Sequence, residues 1–579
     1  MIVNRKDCFE AWYSKYGTAA KCGRYFQALR DPHYVLNDRA TNPVPGYTQS
    51  IDYGLFPFAS IYEVVDLDQL RTLFESTPKT AVADDGSMHT AIGNYALWLR
   101  ITSEDPRWIN EPLWDGDDVP PGSGAKSRIK TLNSNGFDYL KVLENRKATY
   151  MYDKYLAAIR TKPFVLLAGI SGTGKSRMVR QLARGCCPAG SALVDEQKPG
   201  NFELISVRPN WHDSTELMGY VTRITGNGAP KYNLTPFVRF LVKASLHKDI
   251  PFFLCLDEMN LAPVEQYFAE FLSKIETRKK IGNEIVTDVL VEFGDEVREA
   301  AIEELLKPYK PAAGSPIPQE VVGLENAMKA DKGIRIPPNL VVMGTVNMDE
   351  TTCSFSRKVL DRAMSFELND VEDMYTISTD GDPDVAWGAF NDGTVCRARQ
   401  TYVTAENLYS ESDEDRLASN MQTGDKVLKY LKSINSVLDK TPFKVAYRTR
   451  NEMMLYCVER GGDIAKALDE VTSMKILSRI EGDENAMRVT AQQVADAKVV
   501  ATPTASDAPK NLILLLKKAV LKGLGILDGT ITGENEDEKR NKIPSEADYA
   551  ALAAKYRMCS EKLEEMNVRL ISGYTGFWR

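Results

Sequence analysis

The stretch FVLLAGISGTGKSRMVRQLA, residues 164–183, leaves this chain few folds to choose from. Its first five residues, Phe164 to Ala168, have the length and composition of a buried parallel strand. Helical spacing resumes with Met178, Val179 and Leu182, and between the two runs lie Gly169, Gly172 and Gly174. Glycine lets the backbone curl until successive N–H groups point inward at one anion. The spacing GxxxxGK[ST] is complete in Gly169, Gly174, Lys175 and Ser176, with Ser171, Gly172 and Thr173 forming the cradle between them. In such a loop the lysine reaches the β- and γ-phosphates and the Ser176 hydroxyl ligates Mg²⁺. The N-terminus of the helix beginning near Lys175 adds its dipole.

A phosphate loop needs a second carboxylate for magnesium and a group that activates water. PFFLCLDEMN supplies both, because a strand-length apolar run ends in Asp257 and Glu258. Asp257 is then expected beside Ser176, with Glu258 polarising the attacking water. The next apolar run, LVVMGTVNMDE, leaves Asn347 at its end, where an amide could orient the same water. Taken singly, an asparagine after a strand is a turn residue. SRKVLDRAMSFEL then offers Arg357 and Arg362, which alone read as surface charge.

At 579 residues the chain has room for two to four domains. Its net charge of −8 draws it neither to nucleic acid nor to an anionic membrane, so any DNA contact must be a local patch. No apolar run approaches the roughly 20 residues of a membrane span, and the start MIVNRKDCFEAWYSKYG lacks the apolar core of a signal peptide, so a cytoplasmic protein is expected. Nine cysteines without a CxxC pair, and four unpaired histidines, give neither a disulfide framework nor a zinc site. Strands at Phe164 to Ala168, Leu204 to Val207, Phe252 to Leu256 and Leu340 to Val346, separated by helical stretches, predict a parallel sheet with crossovers. The expected order is a small, mainly α domain over 1–103 and a Pro/Gly/acid linker over 104–137. An α/β domain follows over 138–375, with an insertion near 281–335, then a helical region over 376–500 and a C-terminal helical segment over 501–579.

Phosphate loop, LDE, strand-terminal asparagine and arginine, in this order and followed by helices, resemble the AAA+ ring ATPases. More closely, KPFVLLAGISGTGKS, ISVRPNWHDSTELMGY, LDEMNLAPVEQYFAEFLSKIE, GTVNMDETTCSFSRKVLDRA, VAYRTRNEMMLYC, SMKILSRIEG and SGYTGFWR are similar to McrB-like motor subunits of modification-dependent restriction systems. The resemblance implies an AAA+ core with a helical lid, assembled as a ring, with a hexamer expected. Asn347 would be its sensor 1 residue, and Arg362, or less directly Arg357, its arginine finger. Arg448 of AYRTRNEM would be sensor 2, touching the nucleotide from the lid. GTP is the implied fuel, with ATP as the alternative. The implied partners are DNA, modified at its target, and a separate McrC-like endonuclease, with no nuclease site in this chain. The rival is a MoxR- or dynein-related machine that uses ATP to remodel proteins.

Two features stand apart from that pattern. The McrB-like signature Met-Asn-x-x-Asp plus a basic residue has Val346 before its asparagine, Glu350 at the Asp position and Thr351 at the basic one. The amino-terminal region, which selects the target in such proteins, interleaves Trp12, Tyr13, Tyr16, Tyr25 and Phe26 with Lys15, Lys21, Arg24 and Arg30. That pattern suits stacked bases and phosphates, but residue by residue it fits better with amphipathic helices whose aromatics turn inward and whose cations are solvated.

Overall fold

The computed structural model describes residues 152–195, 197–224, 229–282, 284–312, 314–348, 355–368, 385–390, 400–500 and 508–578. It also describes residues 9, 10, 26, 29, 30, 60–64, 69, 70, 73, 91, 92, 94–96, 98 and 99. The chain divides into two units, Met1–Tyr150 and Met151–Arg579. The expected linker, and Glu350 and Thr351, lie outside the described residues.

In the first unit, Phe9 sits among aromatic rings, 5.5 Å from Tyr95, 5.8 Å from Trp98 and 6.3 Å from Phe26. Such edge-on pairs build a core. Arg30 pairs with Glu10, whose Oε1 also accepts from Tyr62 Oη at 3.2 Å. Of the aromatic and basic residues noted in the sequence, Phe26 and Arg30 are thus engaged internally, and the others lie outside the described residues.

In the second unit, five strands form one parallel sheet: β1 (Phe164–Gly169), β2 (Phe202–Ser206), β3 (Phe252–Asp257), β4 (Leu340–Asn347) and β5 (Met364–Glu367), in the order β5–β1–β4–β3–β2. Four of them cover the expected strands with ends shifted by no more than two residues. The fifth, MSFE, has too short and too polar a run to announce itself. Alternate residues of the central strands face opposite cores, as the two-residue period requires. Val165 and Leu167 join Phe253, Cys255 and Met343 on one face, while Phe164, Leu166 and Ala168 join Leu254, Leu256 and Val342 on the other. Sheets buried on both faces read as continuous apolar runs, which explains FVLLA and FFLCL.

Helix α1 (Lys175–Cys186) covers the first face with Val179 and Leu182. Helix α2 (Pro236–Leu246) covers the second with Phe237, Val238 and Leu241. Thr235 caps α2 by accepting from Val238 N, with Pro236 in the first turn. Between β3 and β4, where an insertion was expected, lie a hairpin (Lys279–Ile281 with Glu284–Val286), a strand pair (Val289–Glu292 with Gly333–Arg335) and helices Arg298–Leu306 and Gln319–Asp331.

The chain then becomes helical: α3 (Glu414–Val437), α4 (Tyr447–Arg460), α5 (Ile464–Lys475), α6 (Leu512–Leu527) and α7 (Arg557–Ile571). Their apolar faces belong to the same core as the first face of the sheet, so residues on both sides of position 500 share one interior. The last strand, Tyr574–Gly576, pairs antiparallel with Glu481–Asp483, which joins two of the stretches quoted above, SRIEG and SGYTGFWR. Among the described residues no helix is long and apolar enough to cross a membrane.

Candidate nucleotide site

β1 lies where the strand order reverses, with β4 on one side and β5 on the other. In open parallel sheets the crevice beyond the carboxyl ends of such strands is where ligands bind. Here β1 runs out at Gly169 and the loop climbs to Gly174, whose φ of +79° is the left-handed conformation that sets the start of α1. Gly172 is also left-handed, at φ +87°. A Cβ at either position would meet nothing within 4 Å, so it is the backbone angle and not crowding that calls for glycine.

Lys175 is 6% exposed and folds back over the loop, donating from Nζ to Gly169 O at 3.0 Å and Ile170 O at 2.7 Å. These are carbonyl contacts that an anion could replace. Ser176 Oγ, in the first turn of α1, donates to Asp257 Oδ1 at 2.7 Å. The hydroxyl and carboxylate expected to share a magnesium ion therefore meet. They are hard oxygen donors, and Mg²⁺ is commonly held by one or two protein oxygens together with substrate phosphates, so the residues fit the ion.

Glu258 follows in the left-handed region, with φ +53° and ψ +49°, which turns the chain away from β3 at once. Its Oε1 accepts from Asn347 Nδ2 at 3.1 Å across the gap between β3 and β4. Pairing of Gly169 with Asn347 sets the amide beside the loop, and Met348 N donates to Gly169 O at 3.3 Å. Gly344 permits the tightness of this corner: a Cβ there would meet Met259 Sδ at 2.4 Å. Burial, reinforced by the nearby Asp257 charge, pushes the Cys255 thiol far up, which leaves it an inert packing group.

The arginines lie elsewhere. Arg362 precedes β5 by two residues, at the amino ends of the strands, with its Nε 3.9 Å from Glu276 Oε1. Glu276 in turn binds Lys162 Nζ, just ahead of β1, at 2.8 Å. Arg448 binds both Glu276 Oε2 at 3.0 Å and Asp361 Oδ2 at 2.9 Å. The length of β1, about 20 Å at roughly 3.3 Å per residue, separates this cluster from the phosphate loop of the same chain. Arg357 begins the short helix Arg357–Leu360 and stacks its guanidinium over Phe443, 5.1 Å from the ring centre. The structure thus gathers Gly169 to Ser176 with Asp257, Glu258 and Asn347, and keeps Arg362 and Arg448 apart from them. Trp211 of the RPNWHDSTELMGY segment is buried edge-on against Tyr267, at 5.3 Å.

Two features escaped the sequence. The first is Thr345, whose Oγ1 donates to Asp257 Oδ1 at 2.8 Å; one hydroxyl in a buried apolar strand was its signal. The second is an ionic cluster around Glu452 of α4, which accepts from Lys162 Nζ at 2.7 Å and forms an ion pair with Lys475 Nζ at 2.6 Å. Burial alone would raise the Glu452 carboxyl, but the two lysine charges outweigh it and hold the group down at about 2.

A family described as "Domain of unknown function (DUF8727)" matches residues 398–573, the helical body alone. No curated protein matches the chain. Among solved structures, the crystal structure of a "putative ATPase" from Cytophaga hutchinsonii ATCC 33406 is similar at 13% identity and a TM-score of 0.28. The match covers 57% of this chain and 81% of that one. A likeness this slight adds nothing to the geometry above.

Proposed function

We propose that this chain is a P-loop nucleoside triphosphatase of the AAA+ kind, and more specifically a McrB-like motor. The observation that carries the hydrolytic part is the meeting of Asn347 Nδ2 with Glu258 Oε1, beside the Ser176–Asp257 pair, at the mouth of the glycine loop. In the proposed reaction Lys175 gives up its loop carbonyls to hold the β- and γ-phosphates. Ser176 and Asp257 would hold Mg²⁺, which would supply neutralisation of charge on the phosphates. Glu258 polarises the attacking water and Asn347 keeps that carboxylate and the water in line. Binding of nucleotide would compete with the Lys175 contacts.

The finer reading rests on the sequence resemblance. The motor assembles as a ring, a hexamer by resemblance, and Arg362 serves the nucleotide of a neighbouring copy. Its position at the far edge of its own sheet favours this role over action on its own loop. GTP is the proposed fuel, with ATP as the alternative. The first unit binds modified DNA, and the ring drives a separate McrC-like endonuclease. Hydrolysis of GTP and ATP in parallel, with and without duplex DNA and a candidate endonuclease, tests the whole. Turnover of one nucleotide, stimulated by the partner, is expected. No hydrolysis of either would overturn the proposal. Deletion through Gly124 should spare basal hydrolysis and remove selective DNA binding, and the DNA affinity of the full chain should fall with rising salt as phosphate contacts release counterions.

A further inference from the structure

Thr345 stands in the middle of the sheet, 2% exposed, two residues before Asn347 in a strand that is otherwise buried and apolar or glycine from Leu340 to Val346. A β-branched residue suits that place, and valine would fill it with the same shape. Burying a hydroxyl there instead is unfavourable unless its bonds are made. They are made on both sides. Thr345 Oγ1 donates to Asp257 Oδ1 at 2.8 Å and accepts from Glu258 N at 2.9 Å.

The second bond matters because Glu258 is left-handed, at φ +53°, a conformation that persists only where the surroundings hold it. Beyond Glu258 the turn is secured by Tyr267 Oη, donating to Met259 O at 2.9 Å, and by Asn260 Nδ2, donating to Asn347 O at 3.3 Å. On the side of β3, the Thr345 hydroxyl does the same work.

We propose that Thr345 is a positioning residue for the hydrolytic centre, its hydroxyl locking the metal-side carboxylate of Asp257 to the backbone of Glu258 so that the two acids keep one relative placement. The inference rests on the hydrolytic reading above. Ser176 and Thr345 both bond to Asp257 Oδ1, so that carboxylate is fixed from the loop and from β4 together. Loss of the Thr345 hydroxyl would leave Asp257 tied to α1 alone and Glu258 N without its acceptor, with the fold's shape preserved.

The test compares Thr345→Val with Thr345→Ser in the full chain. Thr345→Val is expected to lower kcat about 10- to 100-fold, the range seen when groups that orient metal-binding residues are removed. Its nucleotide KM should stay near the wild-type value, and half-maximal activity should need more Mg²⁺. Thr345→Ser should restore kcat. Independently of any ligand, hydrogen exchange at the Glu258 amide should quicken in Thr345→Val and not in Thr345→Ser. Wild-type kcat and wild-type exchange in Thr345→Val would overturn the inference, as would a loss that serine does not rescue. If the wild-type chain hydrolyses neither ATP nor GTP, the hydrolytic reading falls by itself. The exchange measurement still decides whether Thr345 holds the Glu258 turn.

Discussion

At the carboxyl ends of β1, β3 and β4, a lysine, two hydroxyls, an amide and two carboxylates meet through hydrogen bonds, with Ser176, Asp257 and Glu258 partly exposed. At the amino ends of β1 and β5 the contacts are between full charges. Lys162, Glu276, Glu452, Lys475, Asp361, Arg448 and Arg479 are linked from the sheet into α4, α5 and the short helical turn after α5. The difference teaches which end is free to change partners. Hydrogen bonds near water are exchanged for others at little net cost. A buried ion pair broken on one side leaves a stranded charge and is strongly resisted. One edge is therefore suited to taking up and releasing a ligand, and the other to holding the helical body to the sheet while that happens.

The largest expected effect would break this division by moving chemistry to the charged edge. If Arg362 serves a neighbouring copy, Arg362→Ala should lower turnover by about 10³- to 10⁵-fold, the usual worth of an arginine finger. Mixing it with Lys175→Ala subunits should restore activity wherever an intact loop meets an intact arginine. Turnover that never exceeds the sum of the two separate variants, with assembly intact, would return the finger role to another residue.

Next in size is a change confined to the far edge. Glu452→Gln leaves Lys162 and Lys475 buried without their shared carboxylate and should cost about 3–5 kcal/mol of stability. Urea unfolding with and without the substitution reads it. Nucleotide affinity of the folded protein should be unchanged, and a loss of affinity would show the two edges to be less separate than their contacts imply.

The smallest effect sharpens the comparison with a buried acid that has no such cationic pair bonded to it. Asp469 of α5 accepts from Cys559 N at 3.0 Å and Met558 N at 3.3 Å at the start of α7. Burial, only partly opposed by those bonds, pushes its carboxyl up from 3.8 to about 6. With the folded value above the unfolded one, the native state binds the extra proton between them, so this contribution to stability grows as pH falls from about 6 towards 4. Glu452 has the reverse sign: its contribution is present above the ordinary value of 4.5 and is lost as pH falls towards 2. Comparing pH-dependent unfolding of Asp469→Asn with the wild-type chain over this window should show the wild type gaining relative stability as the medium is acidified.

The parallel sheet and the meeting of side chains at its carboxyl end were legible because each is written locally. Apolar runs end in the residues that emerge from the sheet, and Gly169 to Ser176, Asp257, Glu258 and Asn347 all sit at such ends. β5 was not legible, since MSFE is four residues long and carries Ser365 and Glu367. Nor was the charged cluster: Lys162, Glu276, Glu452 and Lys475 lie more than a hundred residues apart in part, and each alone reads as a solvated side chain. Arg448 illustrates the same limit. Its motif suggests a nucleotide contact, while its partners, Glu276 and Asp361, come from distant segments that only the fold brings together.

The measurement closest to the central claim separates binding from turnover at the corner itself. Nucleotide titration and single-turnover hydrolysis would be run on the wild-type chain, Lys175→Ala and Glu258→Gln. Lys175→Ala should fail to bind. Glu258→Gln should bind like the wild type and hydrolyse about 10²- to 10⁴-fold more slowly, the range for loss of a group that activates water. Near-normal hydrolysis by Glu258→Gln, or undiminished nucleotide binding by Lys175→Ala, would contradict the assignment of this end of the sheet.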